Sequence, residues 1–326
     1  MPDIIEIPLP TSADDPRWQD YCRLGREHNH ELLGTTEWDE SPEDALTSAR
    51  SQPDWSVRRY LAYDAGTPVG HARSLVNTVD DPHSAALSVY VHPGHRGRGH
   101  GRALADRLIE DTAGMRRFET WPTTPPPSPG ERTVTSSSGA GAVPADHPGV
   151  LFALAHGLTV AQVERISRYD LAAPAVDPAT ALAEAAAASP DYDVEVHEGV
   201  ATPEVRPGVA VLKARMATDV PAGDRTVAEQ TWDAARVLRN DQHVAGTGRL
   251  FRAVARHRGT GRIVGLNELV APRSRTSGVV DQWDTIVLPE HRGHRLGMRV
   301  KAANVVALRE AMPEARAATP ENRLQK

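Results

Sequence analysis

Two stretches of this chain carry the same chemically capable residues. His92-Pro93-Gly94-His95-Arg96-Gly97-Arg98-Gly99-His100-Gly101 follows Val91, and Leu288-Pro289-Glu290-His291-Arg292-Gly293-His294-Arg295-Leu296-Gly297 follows Val287, with an offset of 196. Glycine leaves backbone N–H groups uncovered by a Cβ, and several such groups turned toward one point at a helix start hold an anion. Arg96, Arg98, Arg292 and Arg295 add charged donors that suit phosphate oxygens. The chemistry on offer is the cradling of a phosphate or pyrophosphate. The P-loop is excluded, because neither loop ends in Gly-Lys-Ser/Thr. A hairpin upstream of each loop also argues against the parallel unit of a dinucleotide fold.

Each loop must be positioned by a strand before it and a helix after it. Ala86-Leu87-Ser88-Val89-Tyr90-Val91 and Trp283-Asp284-Thr285-Ile286-Val287 are β-branched and aromatic, and Pro93 and Pro289 close them as strands. Ala103, Leu104, Leu108 and Ile109 give the first following helix its apolar stripe. Met298, Val300, Ala303, Val305, Val306 and Leu308 do so for the second. Upstream, 58–64 and 68–73 form a hairpin turning at Ala65-Gly66-Thr67. Its counterpart is 250–255 with 263–269, turning at Gly259-Thr260-Gly261.

The repeat therefore predicts two domains, 1–173 and 191–326, joined by an Ala/Pro-rich linker at 174–190 with a helical middle. The first is expected to finish with a glycine-ended helix at 149–157 and a strand within 163–171, after a long flexible loop at 122–145. Only 29 residues follow Gly297, so the second domain is expected to lack the last helix and strand.

The spacing Arg96-x-x-Gly99-x-Gly101, behind Val89-Tyr90-Val91-His92-Pro93, closely resembles the signature of the GCN5-related N-acetyltransferases (GNAT family). The resemblance implies a mixed α/β fold of two tandem domains, each a mainly antiparallel central sheet flanked by helices. It implies acetyl-CoA as co-substrate, with Val89, Tyr90 and Val91 along the pantetheine arm. Arg96, Gly97, Arg98, Gly99, His100 and Gly101 would then hold the pyrophosphate. In the second copy Thr285, Ile286 and Val287, then Arg292, Gly293, His294, Arg295, Leu296 and Gly297, take the same parts. Arg295 stands where the family has glycine, which predicts a different backbone path there. The surroundings of that loop look like tandem acetyltransferases of actinobacterial type.

The implied reaction is acetyl transfer to an amine by direct attack in a ternary complex, and it needs a base. The family often uses a carboxylate on the central strands, which makes Glu268 and Asp284 the candidates. Ser88 stands at the position matching Asp284, and the expected last helix of the first half holds Phe152 and His156 but no tyrosine. One domain is expected to do the chemistry while the other is structural or only binds cofactor. The alternative is a non-catalytic acetyl-CoA-binding or regulatory protein. The acceptor is a small-molecule or peptide amine, and the sheet of the second domain is expected to be completed by the other domain or by a second subunit, an open edge otherwise inviting association as a homodimer.

Composition narrows the partners. A net charge of -6 over 326 residues gives no general pull toward nucleic acid or anionic membrane, and no aromatic platform interleaves the arginines. Cys22 is the sole cysteine, so no intramolecular disulfide forms. No run approaches the ~18 apolar residues of a membrane span. The opening residues lack the basic and apolar regions of a signal peptide, so a cytoplasmic location is expected. His92, His95 and His100 share a loop, and His28 and His30 a helix, but no His-Glu-x-x-His or Cys-x-x-Cys set occurs, so no metal is expected. Trp18, Trp38 and Trp55 read as core residues or a lid over the acceptor cleft.

Overall fold

The computed structural model describes residues 2–50, 52, 54–219 and 227–320. Two compact units divide the chain between Glu164 and Arg165. The first runs β1 (Asp3–Glu6), α1 (Pro16–Leu33), α2 (Pro42–Arg50), β2 (Trp55–Asp64), β3 (Thr67–Asn77), β4 (Asp81–Val91), α3 (His100–Asp111), β5 (Arg117–Glu119), β6 (Thr133–Thr135), β7 (Ala142–Pro144) and α4 (Pro148–Ala155). Its main sheet has the order β1-β2-β3-β4-β5, antiparallel except for the parallel β4–β5 pair.

The β2–β3 hairpin closes through Ala65 and Gly66, both with positive φ, 49° and 80°. Two successive left-handed residues match the twist of the flanking strands. Alternate residues of β2 then serve opposite faces. Tyr60 and Ala62 pack with Leu104 and Leu108 of α3, while Leu61 packs with Leu24 of α1. A sheet covered on both faces explains why β3 is buried along most of its length.

Gly70 of β3 lies opposite Val91, the last residue of β4. A Cβ there would stand 2.6 Å from the Tyr90 carbonyl oxygen and 3.3 Å from Leu104 Cδ1. Backbone cannot yield as a side-chain tip can, so Gly70→Ala should force the end of β4 away from β3. The expected cost is about 1–3 kcal/mol, read as a lower urea midpoint. An unchanged midpoint would show that this strand pair has slack.

The second unit contains β8 (Tyr169–Asp170), α5 (Pro178–Ala187), β9 (Tyr192–Glu198), α6 (Arg206–Asp219), α7 (Ala234–Thr247), β10 (Gly248–His257), β11 (Ile263–Pro272), β12 (Val279–Val287), α8 (Leu296–Ala311) and β13 (Ala317–Pro320). Its sheet order is β8-β13-β12-β11-β10-β9, again antiparallel except for β12–β13. Val209 and Leu212 of α6, Val254, Leu266 and Ile286 of the sheet, and Val300 of α8 share one core.

Three expectations change. The strand sought within 163–171 shrinks to β8 and pairs with β13 in the second sheet, not the first. Leu171, 2% exposed, is buried with Phe251 and Leu308 of that unit. The second sheet, expected to be completed by the other domain or a second subunit, is flanked at β13 by chain that precedes this unit's own helices. The linker is likewise built in: Asp177 caps α5 through Thr180, and Arg299 of α8 donates to the Ser189 carbonyl at 2.8 Å. Finally, 122–145 is no plain loop, because β6 and β7 form a small antiparallel ladder within it.

Candidate functional site

β4 is paired along β3 as far as Val91, but β5 accompanies it only at Ser84–Ala86. From Leu87 onward one edge of β4 has no partner strand among the described residues. In the second unit β13 follows β12 at 279–282, and among the described residues no strand lies beside Thr285 to Val287 on that side. An unaccompanied edge presents backbone donors and acceptors to an extended ligand.

Each strand then runs into a short 3-10 turn, Pro93–His95 or Pro289–His291, and a left-handed kink. Gly97 and Gly99 have φ of 74° and 86°, and Gly99 is the N-cap of α3. Gly293 has φ of 87°, and the N-cap of α8 is Arg295 at φ 54°, ψ 18°. Arginine therefore follows the same left-handed path as the glycine it replaces, and the different path expected for this loop does not occur. A single left-handed non-glycine costs only about 1–2 kcal/mol, within what surrounding structure can impose.

Asp15, His147, Asp177 and Asp233 cap α1, α4, α5 and α7 with side-chain acceptors, whereas α3 and α8 have no side-chain cap. Their first N–H groups, with the positive end of the helix dipole, remain available to an anion. A Cβ added at Gly97, Gly99 or Gly293 would meet nothing within 4 Å, so the space over the amides is open. Gly101 differs, because the Phe152 ring of α4 would lie 3.4 Å from its Cβ. That glycine makes room for α4; at Gly297 nothing lies within 4 Å.

The loop arginines divide their work. Arg96 Nε donates to the Val91 carbonyl at 2.9 Å and its Nη2 to Glu31 at 2.8 Å. Arg292 Nε makes the matching bond to the Val287 carbonyl at 3.0 Å. These two fasten each loop to its own strand and hold its shape. Arg98 and Arg295 project outward and keep more than half of their side-chain surface exposed. His100 and Leu296 point inward, 5% and 1% exposed, so they contribute backbone to the loop surface.

The carboxylates picked from the sequence lie in a buried charge network. β12 carries a bulge, with register passing from Thr285 opposite Asn267 to Gln282 opposite Leu269, so Trp283 and Asp284 together face Glu268. Lys213 Nζ of α6 binds Glu268 at 2.6 Å and Asp284 at 3.0 Å. Arg252 binds Glu268 through Nε at 2.7 Å and Asp241 at 2.8 and 2.6 Å, and Asp241 also accepts the Ala201 N–H at 2.9 Å. Burial disfavours the charge on Lys213, but Asp284 and Glu268 outweigh it and hold the pKa above the usual lysine value. Glu268 is 0% exposed with both oxygens bound, which suits a structural counter-charge; Asp284, at 7%, is the more reachable of the two. The sequence signal for this network was Arg252 inside the apolar run of β10, a charge that demands partners when buried.

In the first unit, where no carboxylate was found, the structure gathers imidazoles and phenols. His28 stacks on Tyr90 with centroids 4.4 Å apart, and His71, in register opposite Tyr90, lies 5.1 Å from Tyr21 and 5.9 Å from His28. Desolvation lowers the His28 pKa to about 4, with Glu31 opposing and Arg73 and Arg96 assisting. Burial, then His28 and Arg73, put His71 well below its ordinary value. Both rings are neutral at pH 7. Trp18 is core, its Nε1 bonded to the Pro42 carbonyl at 2.9 Å, while Trp55 is 43% exposed. Burial pushes the Cys22 thiol up to about 12, so it is no nucleophile.

Comparison with known proteins agrees with this geometry. Residues 17–126 match the profile of the Acetyltransferase (GNAT) family. A solved tandem GNAT protein from the clavulanic acid biosynthesis pathway superposes over 98% of this chain and 90% of its own, with TM-score 0.65 and 21% identity. The chain folds as a tandem GNAT protein. Within it, a segment of 64 residues is 42% identical to a mycothiol acetyltransferase of Streptomyces avermitilis, and one of 65 residues is 38% identical to that of Streptomyces coelicolor. Each alignment spans 20% of the curated relative's length. Among the described residues, no helix is long and apolar enough to cross a membrane.

Proposed function

We propose that this tandem GNAT protein moves an acetyl group from acetyl-CoA to an amine by direct attack in a ternary complex, with the first unit holding the cofactor. The observation that carries the reading is the uncapped start of α3, behind left-handed Gly97 and Gly99, at the end of a strand edge that loses its partner at Leu87. An anion site continuous with free backbone groups suits a pyrophosphate attached to an amide-bearing arm. The amine must first lose a proton; its lone pair then attacks the thioester carbonyl, the C–S bond breaks, and the departing thiolate takes up a proton. His28, neutral and stacked on Tyr90 of that strand, is our proton acceptor in the first unit, and Asp284 its counterpart in the second. The segment shared with the mycothiol acetyltransferases favours a small-molecule amine over a peptide.

Calorimetric titration of acetyl-CoA into wild type, Gly99→Glu and Gly297→Glu tests this. Both sites have open space for a side chain, and Arg295 demonstrates that a side chain tolerates the Gly99 backbone. Gly99→Glu should weaken binding at least tenfold, because its carboxylate enters the anion site. Equal binding by all three would sink the assignment to these loops. Loss only in Gly297→Glu would move the cofactor, and the chemistry, to the second unit. Binding without turnover on an amine panel would support the non-catalytic alternative.

A further inference from the structure

The repeats diverge at the outer corner of the loop. In the second unit His291, the last residue of its 3-10 turn, accepts or donates through Nδ1 to Tyr192 Oη at 3.0 Å, and His257, the last residue of β10, lies 5.2 Å from both rings. In the first unit His95 holds the place of His291, Asp64 ends β2 as His257 ends β10, and His100 replaces Leu296. A core-facing apolar position has thus become an imidazole. No tyrosine satisfies this corner: Nδ1 of His95 and both ring nitrogens of His100 are buried without hydrogen-bond partners. Buried polar atoms are rarely left so, because desolvation without replacement costs about 1–3 kcal/mol each.

The three side chains converge. His100 Nε2 lies 3.5 Å from Asp64 Oδ2, and one ligand atom from each of Asp64, His95 and His100 lies within 4.8 Å of the other two. A histidine–aspartate ion pair would account for one ring nitrogen and leave the other two atoms unsatisfied. We propose that Asp64, His95 and His100 form a binding site for a divalent transition-metal cation of the zinc class. Zinc holds imidazole nitrogen and carboxylate oxygen at about 2.0–2.2 Å, which sets tetrahedral ligands roughly 3.4 Å apart. The Asp64–His100 edge already has that length, and the remaining contraction is within side-chain reach. Two imidazoles and one carboxylate favour zinc, cobalt or nickel over magnesium or calcium, which prefer oxygen sets. Arg98, 4.0 Å from Asp64 and donating to the Gly94 carbonyl at 3.3 Å, is the competing cation, and its exposed guanidinium has to swing away when the metal binds. The ligands are side chains, whereas the anion reading uses backbone amides, so the two sites stand or fall separately.

Sequence reading missed the set because Asp64 comes from a strand end and the two histidines lack a ligand motif. The test uses the full chain stripped with chelator and titrated with cobalt(II), followed by visible ligand-field absorption, then back-titrated with zinc. Wild type should give one cobalt site displaced by one equivalent of zinc, and zinc should raise its melting temperature. His100→Leu, which installs the residue of the second repeat, should remain folded, bind cobalt at least tenfold more weakly and lose the zinc-dependent rise. Asp64→Asn should weaken binding in the same direction. The chain has 14 histidines, so adventitious surface binding would give the same isotherm in wild type and His100→Leu. That result, or the absence of any ligand-field band in wild type, overturns the site.

Discussion

Arg252→Met should destabilise the second unit by about 3–5 kcal/mol, because it leaves the buried Asp241 without a counter-charge and Glu268 to share Lys213 with Asp284. Arg252 is 0% exposed and bridges Asp241 and Glu268, which are also 0% exposed. Burial alone would disfavour its charge, but Glu268 and Asp241 more than offset that and hold the guanidinium firmly protonated. Lys213 remains to neutralise Glu268 and Asp284, but Asp241 would keep only the Ala201 N–H. Urea unfolding would read the loss, and faster amide exchange in β10 and β11 would localise it. Removing charges as a set, with Arg252→Met, Asp241→Leu and Glu268→Met combined, should recover much of the loss, since the penalty lies in the unpaired ions. A loss under about 1 kcal/mol for the single variant would mean that water reaches Asp241 and that the network is not sealed.

Acid should destabilise the first unit well above the pH at which its carboxylates titrate. The folded pKa of His28 is about 4, against an ordinary histidine value of 6.5. Between those values the unfolded chain binds the extra proton, so stability falls as pH drops from 6.5 and levels near 4. The full effect for His28 is about 3 kcal/mol, from 1.36 kcal/mol per pKa unit. His71, buried beside His28 and Arg73, acts in the same direction. His28→Phe keeps a ring against Tyr90 but cannot take the proton. It should flatten the slope between pH 6.5 and 4.5, leaving the part due to His71. In an acetyl-transfer assay the same variant should lose turnover while cofactor affinity stays, as expected of a proton acceptor. A wild-type profile flat over this range would show that the rings are hydrated in the fold.

Much of the architecture was legible in the residues. The repeat, the strand before each loop, the helix after it and the two hairpins rest on short-range effects. Alternation of apolar residues, proline's missing N–H and glycine's freedom all act within a few positions. Gly97 and Gly99 could be picked as points of close backbone approach for that reason. The left-handed Arg295 could not, since intrinsic preference disfavours arginine there and only the surrounding turn and helix impose the conformation.

Which side chains meet was decided by the fold. Glu268 and Asp284 were visible as strand carboxylates, yet their use as ion partners depends on Lys213, 55 and 71 residues away. β8 carries too few residues to declare a sheet, and its pairing with β13 depends on an edge formed nearly 150 residues later. Asp64 meets His100 because the β2 end and the start of α3 close over one corner, which no local pattern records. The backbone units that make an anion cradle follow from local sterics and periodicity, which the order of residues carries. Which ionisable groups are paired, buried or left open follows from long-range packing, because desolvation and Coulomb energies depend on distances that the folded chain sets.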